Sequence, residues 1–192
     1  MTIPASSGAT ITGWGTALPD IIVTNADFEA RLDTTDEWIT ERTGIRERRH
    51  GGTTASLAVE AGRNALNMAG LTGADIDFIL LATTTPDYQI PSTASQVQEE
   101  LQINGGACDI NAACSGFVYG LVQAHGLIAM GLKRILLIGS ETLAKLTDQD
   151  DRNTAILFGN GAGAVVLEAV EGDGQLISFD LGSDGSAREL LE

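Results

Sequence analysis

Cysteine is scarce in this chain: Cys108 and Cys114 are its only two, too close in sequence to staple a large loop. Small and apolar neighbours around both suit a reduced, intracellular protein, so no disulfide framework is expected. Long apolar runs are missing too. None reaches the about 20 residues that a bilayer-spanning helix needs, and the start Met1-Thr2-Ile3-Pro4-Ala5-Ser6-Ser7 shows no basic stretch leading into an apolar one. The expectation is a soluble, cytoplasmic protein without membrane association. Positive charge is short as well, with 11 Lys and Arg against 26 Asp and Glu and a formal net charge of −15. That balance argues against nucleic acid as a partner, because phosphate binding needs a basic face. Neither a ligand cluster for magnesium or zinc nor a flavin motif is found, so no metal and no cofactor is expected.

What the sequence holds is 43% hydrophobic residues and 23 glycines, the composition of a compact α/β protein with many tight turns. Apolar, β-favouring runs at residues 9–14, 78–84, 107–110, 135–138, 164–167 and 176–179 read as buried strands. Helical patterns at 55–68, 93–101 and 115–130 fall between the middle runs. This alternation predicts βαβ units and a largely parallel mixed sheet. Within 115–130, Val118, Leu121, His125 and Ile128 recur at spacings of three and four and predict an inward stripe. Thr53 or Thr54 is placed to cap the helix over 55–68, and Gly70 to end it. No linker and no internal repeat is read. The chain stops at Glu192, soon after the last expected strand and without a closing helix, so an interrupted protein is expected.

Arg31, Arg42, Arg46, Arg48 and Arg49 gather five of the 11 basic residues into one stretch of an acidic chain. Either they form a local anion site, or they answer Glu37, Glu41 and Glu47 as helical ion pairs on a solvated segment. His50 is expected in the exposed loop around Gly51-Gly52. The glycines of Phe158-Gly159-Asn160-Gly161-Ala162-Gly163 precede a strand instead of opening a helix, which rejects a dinucleotide fingerprint.

In Gly106-Ala107-Cys108-Asp109-Ile110-Asn111-Ala112-Ala113-Cys114-Ser115-Gly116-Phe117, an apolar strand passes through small residues directly into a helix. Cys114 is thereby placed at a helix N-terminus, where unpaired amides and the positive end of the dipole stabilise a thiolate. Ala112, Ala113, Ser115 and Gly116 leave room for a thioester, so Cys114 is a candidate acyl acceptor. The alternative is one more small buried hydrophobe. Cys108 falls inside the strand and reads as structural.

Three segments together, Asp36-Glu37-Trp38-Ile39-Thr40-Glu41-Arg42-Thr43-Gly44-Ile45-Arg46-Glu47-Arg48, Ala112-Ala113-Cys114-Ser115-Gly116-Phe117 and Leu157-Phe158-Gly159-Asn160-Gly161-Ala162-Gly163-Ala164, resemble the motifs of the β-ketoacyl-acyl-carrier-protein synthase III family, in order. The resemblance extends over essentially the whole chain. It implies the thiolase-like fold, with residues 1–192 as the N-terminal half and a C-terminal half outside this chain. It also implies an acyltransferase of fatty-acid synthesis that loads an acyl primer from acyl-CoA and condenses it with malonyl-acyl-carrier protein, CoA being substrate and not cofactor. Cys114 would be the nucleophile. Trp38 and Arg152 would bracket the adenine of CoA, with Thr34 and Arg42 contacting the nucleotide; residue by residue, Trp38 could equally be a half-buried helix anchor and Arg152 a partner of Asp148 or Asp151. Thr84, Leu143 and Phe158 would surround the acyl pocket, and Ile90, standing where the family usually shows an aromatic, would reach the partner's pocket in a homodimer. Asn160 replaces the Asp of most relatives.

The family's condensing His and Asn would lie beyond Glu192. His125, eleven positions along the expected helix, is about 16 Å from Cys114 at 1.5 Å per residue and reads as structural. Two other readings stay open: an initiating polyketide or alkylquinolone synthase of the same superfamily, and a non-catalytic partner subunit of a condensing heterodimer.

Overall fold

The computed structural model of the chain describes residues 7–191. Met1 to Ser6, on which the leader reading rests, and Glu192 lie outside the described residues. In chain order the elements are β1 Ser7–Ala17, β2 Ile21–Thr24, α1 Asn25–Glu29, α2 Asp36–Thr43, β3 Glu47–His50, α3 Thr54–Ala69, β4 Phe78–Ala82, α4 Thr93–Glu100, β5 Gly106–Ile110, α5 Gly116–Ala129, β6 Arg134–Thr142, α6 Arg152–Ala155 and β7 Asn160–Gly174. No helix among the described residues is long and apolar enough to cross a membrane.

The main sheet has the order β1-β7-β6-β4-β5. Strand β4 pairs in parallel with β5 and β6, while β7 runs antiparallel to both β6 and β1, so every strand but β7 shares one direction. The predicted largely parallel mixed sheet is therefore present. Period-2 alternation sorts its side chains between two layers. Ile79, Leu81, Leu136, Ile138 and Val166 face α3 and α4, whereas Leu80, Ile135, Leu137 and Leu167 face α5.

Helix α3 begins with a capping box between Thr53 and Ser56, and ends at Gly70, whose φ of 70 is the left-handed turn expected there. It rests directly on β1. A Cβ on Gly15 would lie 2.4 Å from the Ala61 carbonyl oxygen and one on Gly13 2.4 Å from that of Ala65, so only glycine permits this approach.

Several expectations need correction. Of the expected α5 stripe, Ile128 is buried, Leu121 packs on the same core and His125 lies beside it, while Val118 is exposed; Gly116, Gly120 and Ala124 are buried with Ile128. A Cβ at Gly120 would meet Leu137 Cδ1 at 2.4 Å, so the helix packs through its smallest residues, which a count of large apolar side chains overlooks. Residues 176–179 form no strand: β7 is already paired on both sides and the chain turns off at Gly174, φ 67, leaving Ile177 and Phe179 exposed. Strand β1 is not buried on both faces, because Ile11 and Trp14 are exposed beside buried Ala9, Gly13, Gly15 and Ala17. A 3-10 segment, Gly185–Leu191, follows where no closing helix was expected.

The arginine-rich stretch spans a helix and a strand instead of one solvated helical segment. Antiparallel β2 and β3 form a separate ribbon, and α1, α2 and α6 enclose a small core of Phe28, Ile39, Ala155 and Ile156. His50 belongs to β3 and is half-buried.

Candidate active site

Cys114 stands where β5 gives way to α5. Residues Ala113–Ser115 make one 3-10 turn, and α5 starts at Gly116. Ala113 takes φ 46, a left-handed conformation costing a residue with a side chain about 1 to 2 kcal/mol. That sharp corner presents Cys114 to solvent. Ser115, at the N-cap, makes no side-chain bond to the helix it opens, so no side chain of its own occupies the amides there.

The corner closes one side of a cleft of about 670 Å³. Ala82 and Thr84 line it at the end of β4, Gly139 to Glu141 at the end of β6, and Gly161 to Gly163 at the start of β7, with Leu18, Phe117, Leu143 and Phe158 completing a largely apolar wall. Strand β4 lies between β5 and β6, so the chain leaves β4 for β5 on one side and then crosses back to β6 on the other. Crevices at the carboxyl ends of such strands are where open α/β sheets take ligands. Thr84, Leu143 and Phe158 all meet Cys114 there, whereas Ile90 stands 87% exposed on the loop after β4, outside the cleft.

Sequence reading missed Glu141. Its carboxylate accepts from Thr84 N at 2.7 Å, Thr84 Oγ1 at 3.0 Å and Thr85 Oγ1 at 2.5 Å, fixing the loop that forms one wall. An acidic residue just after the apolar run at 135–138 was the available signal. Asn160 is also a connector: its Oδ1 accepts from Ala144 N at 3.1 Å and its Nδ2 donates to the Gly51 carbonyl at 2.9 Å.

A second cluster lies on the small core. The Arg42 guanidinium is 4.3 Å and that of Arg152 4.8 Å from the Trp38 ring centroid, two planar cations gathered on one indole. Thr34 is nearby in sequence, and its Oγ1 is buried without a hydrogen-bond partner. The partner of Arg152 is neither Asp148 nor Asp151. Arg152 donates to the Asp33 carbonyl at 2.7 Å and lies 3.9 Å from its carboxylate, while Asp151 caps α6. Bonds from Asn153 N and Thr154 Oγ1 hold the Asp151 carboxyl below its ordinary value.

Neither reading of the arginine stretch holds throughout. Arg48 is buried, bonded to Asn25 and Ile156. Arg49 pairs with Glu47 at 3.6 Å along the β3 strand, and among the described residues none of these arginines pairs with Glu37 or Glu41. Cys108 is structural as read. It is half-buried against the α5 side of the sheet, where burial, with a smaller contribution from Asp109, raises its thiol above the ordinary value. His125 lines a separate cavity of about 190 Å³ with Leu121 and Leu167, and neither histidine borders the Cys114 cleft.

The model for 3-oxoacyl-[acyl-carrier-protein (ACP)] synthase III matches residues 108–185, which include Cys114, Leu143, Arg152 and Phe158. The beta-ketoacyl-[acyl-carrier-protein] synthase III of Erythrobacter litoralis is 51% identical over 191 residues, covering 95% of this chain and 60% of that protein. Its counterpart in Rhodobacter capsulatus is 52% identical over 194 residues, with the same coverage. Over its matched length, the chain is similar to these synthase III enzymes. The chain spans about 60% of the length of these curated relatives. Among solved structures, the synthase III of Pseudomonas aeruginosa PAO1 superposes with a TM-score of 0.86 at 40% identity, over 93% of this chain and 58% of that one. The priming beta-ketosynthase of the R1128 polyketide pathway gives 0.85 at 31%, over 90% and 53%. The synthase III fold is thus reproduced across the sheet and both helical layers.

Proposed function

We propose that the protein acts as a β-ketoacyl-acyl-carrier-protein synthase III that starts fatty-acid synthesis. The observation carrying this reading is Cys114, exposed on a strained corner at a helix N-terminus inside an apolar cleft with Thr84, Leu143 and Phe158. The Cys114 thiolate attacks the acyl-CoA carbonyl, the carbon–sulfur bond to CoA breaks, and CoA leaves as its thiolate. Malonyl-carrier protein then loses CO₂ to give an enolate, which attacks the Cys114 thioester and releases the 3-oxoacyl-carrier protein and the free thiolate. Trp38, Arg42, Arg152 and Thr34 receive the nucleotide of CoA, the indole and guanidinium planes suiting an adenine face.

The enolate needs fixed hydrogen-bond donors. In this reading they come from the His and Asn that the family resemblance assigns beyond Glu192, to the C-terminal half of the same enzyme. In this reading, acyl exchange between thioesters at the cleft uses no metal or other cofactor. The protein works in the cytoplasm as a homodimer in which Ile90 enters the partner's pocket, a role suited to its exposure on the loop after β4. Polyketide priming is the second reading, favoured by the TM-score of 0.85 with the R1128 enzyme; its 31% identity, against 51% and 52% for the synthase III relatives, ranks it lower.

In the full-length protein, Arg42→Ala is expected to raise KM for acyl-CoA by about tenfold, since charge-assisted hydrogen bonds contribute about 1.5 to 3 kcal/mol and this one is solvent-exposed. KM for malonyl-carrier protein stays unchanged. Steady-state kinetics with each substrate varied in turn checks this, and equal effects on both would mark Arg42 as structural.

A further inference from the structure

Arg31, the first arginine of the cluster, has no role in the sites described so far. It follows α1 with its guanidinium 4.8 Å from the ring centroid of buried Phe28. From that footing Nη1 donates to the main-chain carbonyl of Gln149, and Nη2 donates to Gln149 Oε1 at 3.1 Å. Three residues further on, Arg152 returns the contact by donating to the Asp33 carbonyl at 2.7 Å. Segments 31–33 and 149–152 therefore exchange guanidinium-to-carbonyl bonds in both directions. Gln149 carries the link onward, since its Nε2 donates to the Ala144 carbonyl at 3.0 Å and the Thr147 carbonyl at 3.3 Å. Ala144 adjoins Leu143, a wall of the Cys114 cleft.

We propose that Arg31 and Gln149 are a positioning pair that fixes the turn between Leu143 and Arg152, and so holds the Trp38 cluster at a set place relative to the thiol cleft. The proposal rests on the reading of the Trp38 cluster as the nucleotide site. Neither residue lines the cleft, and Arg31 stacks on Phe28 instead of Trp38, so the pair acts through Arg152 and Leu143. The bonds between the two residues are exposed and contribute little to folding, while those from Gln149 to the Ala144 and Thr147 carbonyls are part-buried. Their effect is on preorganisation: a turn that is already ordered does not have to be ordered when the ligand arrives. Arginine is required because one planar fork spans both acceptors of Gln149, a geometry that a lysine ammonium does not reproduce.

The test titrates free CoA and pantetheine into full-length wild type, Arg31→Ala, Arg31→Lys and Gln149→Ala by calorimetry. Thermal melts accompany each titration, with KM and kcat measured for acyl-CoA and acyl-pantetheine. With one or two side chains no longer prepaid in order, CoA affinity is expected to fall about two- to tenfold in all three variants, with pantetheine binding and kcat unchanged and the melt unchanged in the two Arg31 variants. If wild type prefers CoA to pantetheine and the variants keep that preference in full, the positioning pair is wrong while the nucleotide site stands. A parallel loss for CoA and pantetheine also overturns it, as a general disturbance. If wild type shows no preference, the nucleotide reading of the Trp38 cluster falls and the pair falls with it.

Discussion

Cys114→Ser is expected to abolish acyl loading, with a loss of about a thousandfold or more, the scale seen when a covalent nucleophile is removed while its surroundings remain. The fold should be unaffected, because Cys114 is exposed and the corner that presents it is shaped by Ala113 at φ 46 and by Gly116, 3.1 Å from the Ala82 Cβ for any added methyl. Incubation with a short acyl-CoA followed by intact-mass and tryptic mass spectrometry reads the result. Wild type and Cys108→Ser carry one acyl group on the peptide of Cys114, and Cys114→Ser carries none. Cys108 serves as the internal control because burial keeps its thiol protonated and holds it against the α5 side of the sheet, away from the cleft. Acyl label on Cys108, or loading undiminished in Cys114→Ser, would remove the basis of the proposed mechanism.

The contrast between the two cysteines was legible in the sequence because each rests on a local pattern: an apolar strand around Cys108, and a change from strand to small residues to helix around Cys114. The main sheet was legible for the same reason, since β4, β6 and the core of β7 are continuous apolar runs. Strands and helices that are short or polar were not. Glu47-Arg48-Arg49-His50 has no apolar alternation, yet it forms β3 because Ile21 to Thr24 supply a backbone partner 23 to 29 residues earlier in the chain. Conversely, residues 176–179 have the composition of a strand and no ladder to join. Pairing is a tertiary fact, and composition carries only half of it.

The site shows the same division. Arg42 and Arg152 gather on the Trp38 ring, but the bonds that tie the neighbouring segments together, from Arg152 to the Asp33 carbonyl and from Arg31 to the Gln149 carbonyl, use backbone acceptors that no sequence motif marks. Glu141 likewise takes its meaning from Thr84 and Thr85, 57 and 56 residues away.

Arg48→Ala is expected to destabilise the protein by about 2 to 5 kcal/mol, because it leaves two buried acceptors unpaired at about 1 to 3 kcal/mol each. Charge counting placed Arg48 in a surface cluster. Instead it lies buried at the centre of the small helical core, where Nε donates to the Ile156 carbonyl at 2.7 Å, Nη1 donates to Asn25 Oδ1 at 2.5 Å, and the guanidinium stacks 4.8 Å from the Phe28 centroid. Asn25 extends the network by donating to Asp36 Oδ1 at 2.6 Å and the Ile45 carbonyl at 2.9 Å, so one cation ties β3 to α1, α2 and α6. Burial lowers the Arg48 pKa from its ordinary value, but a guanidinium remains charged throughout the working range; its Nη2 is buried without a hydrogen-bond partner, so these bonds offset only part of the desolvation cost. Arg48→Lys retains the charge and loses the fork, so it recovers less than half of the loss. Because α2 and α6 also carry Trp38, Arg42 and Arg152, the same substitution is expected to weaken CoA binding together with stability, unlike Arg31→Ala, which weakens binding alone. Urea unfolding of the two variants beside wild type, with CoA titration on each, measures both. A loss below about 1 kcal/mol for Arg48→Ala, within the range of an ordinary surface substitution, would show that the small core holds without its buried cation.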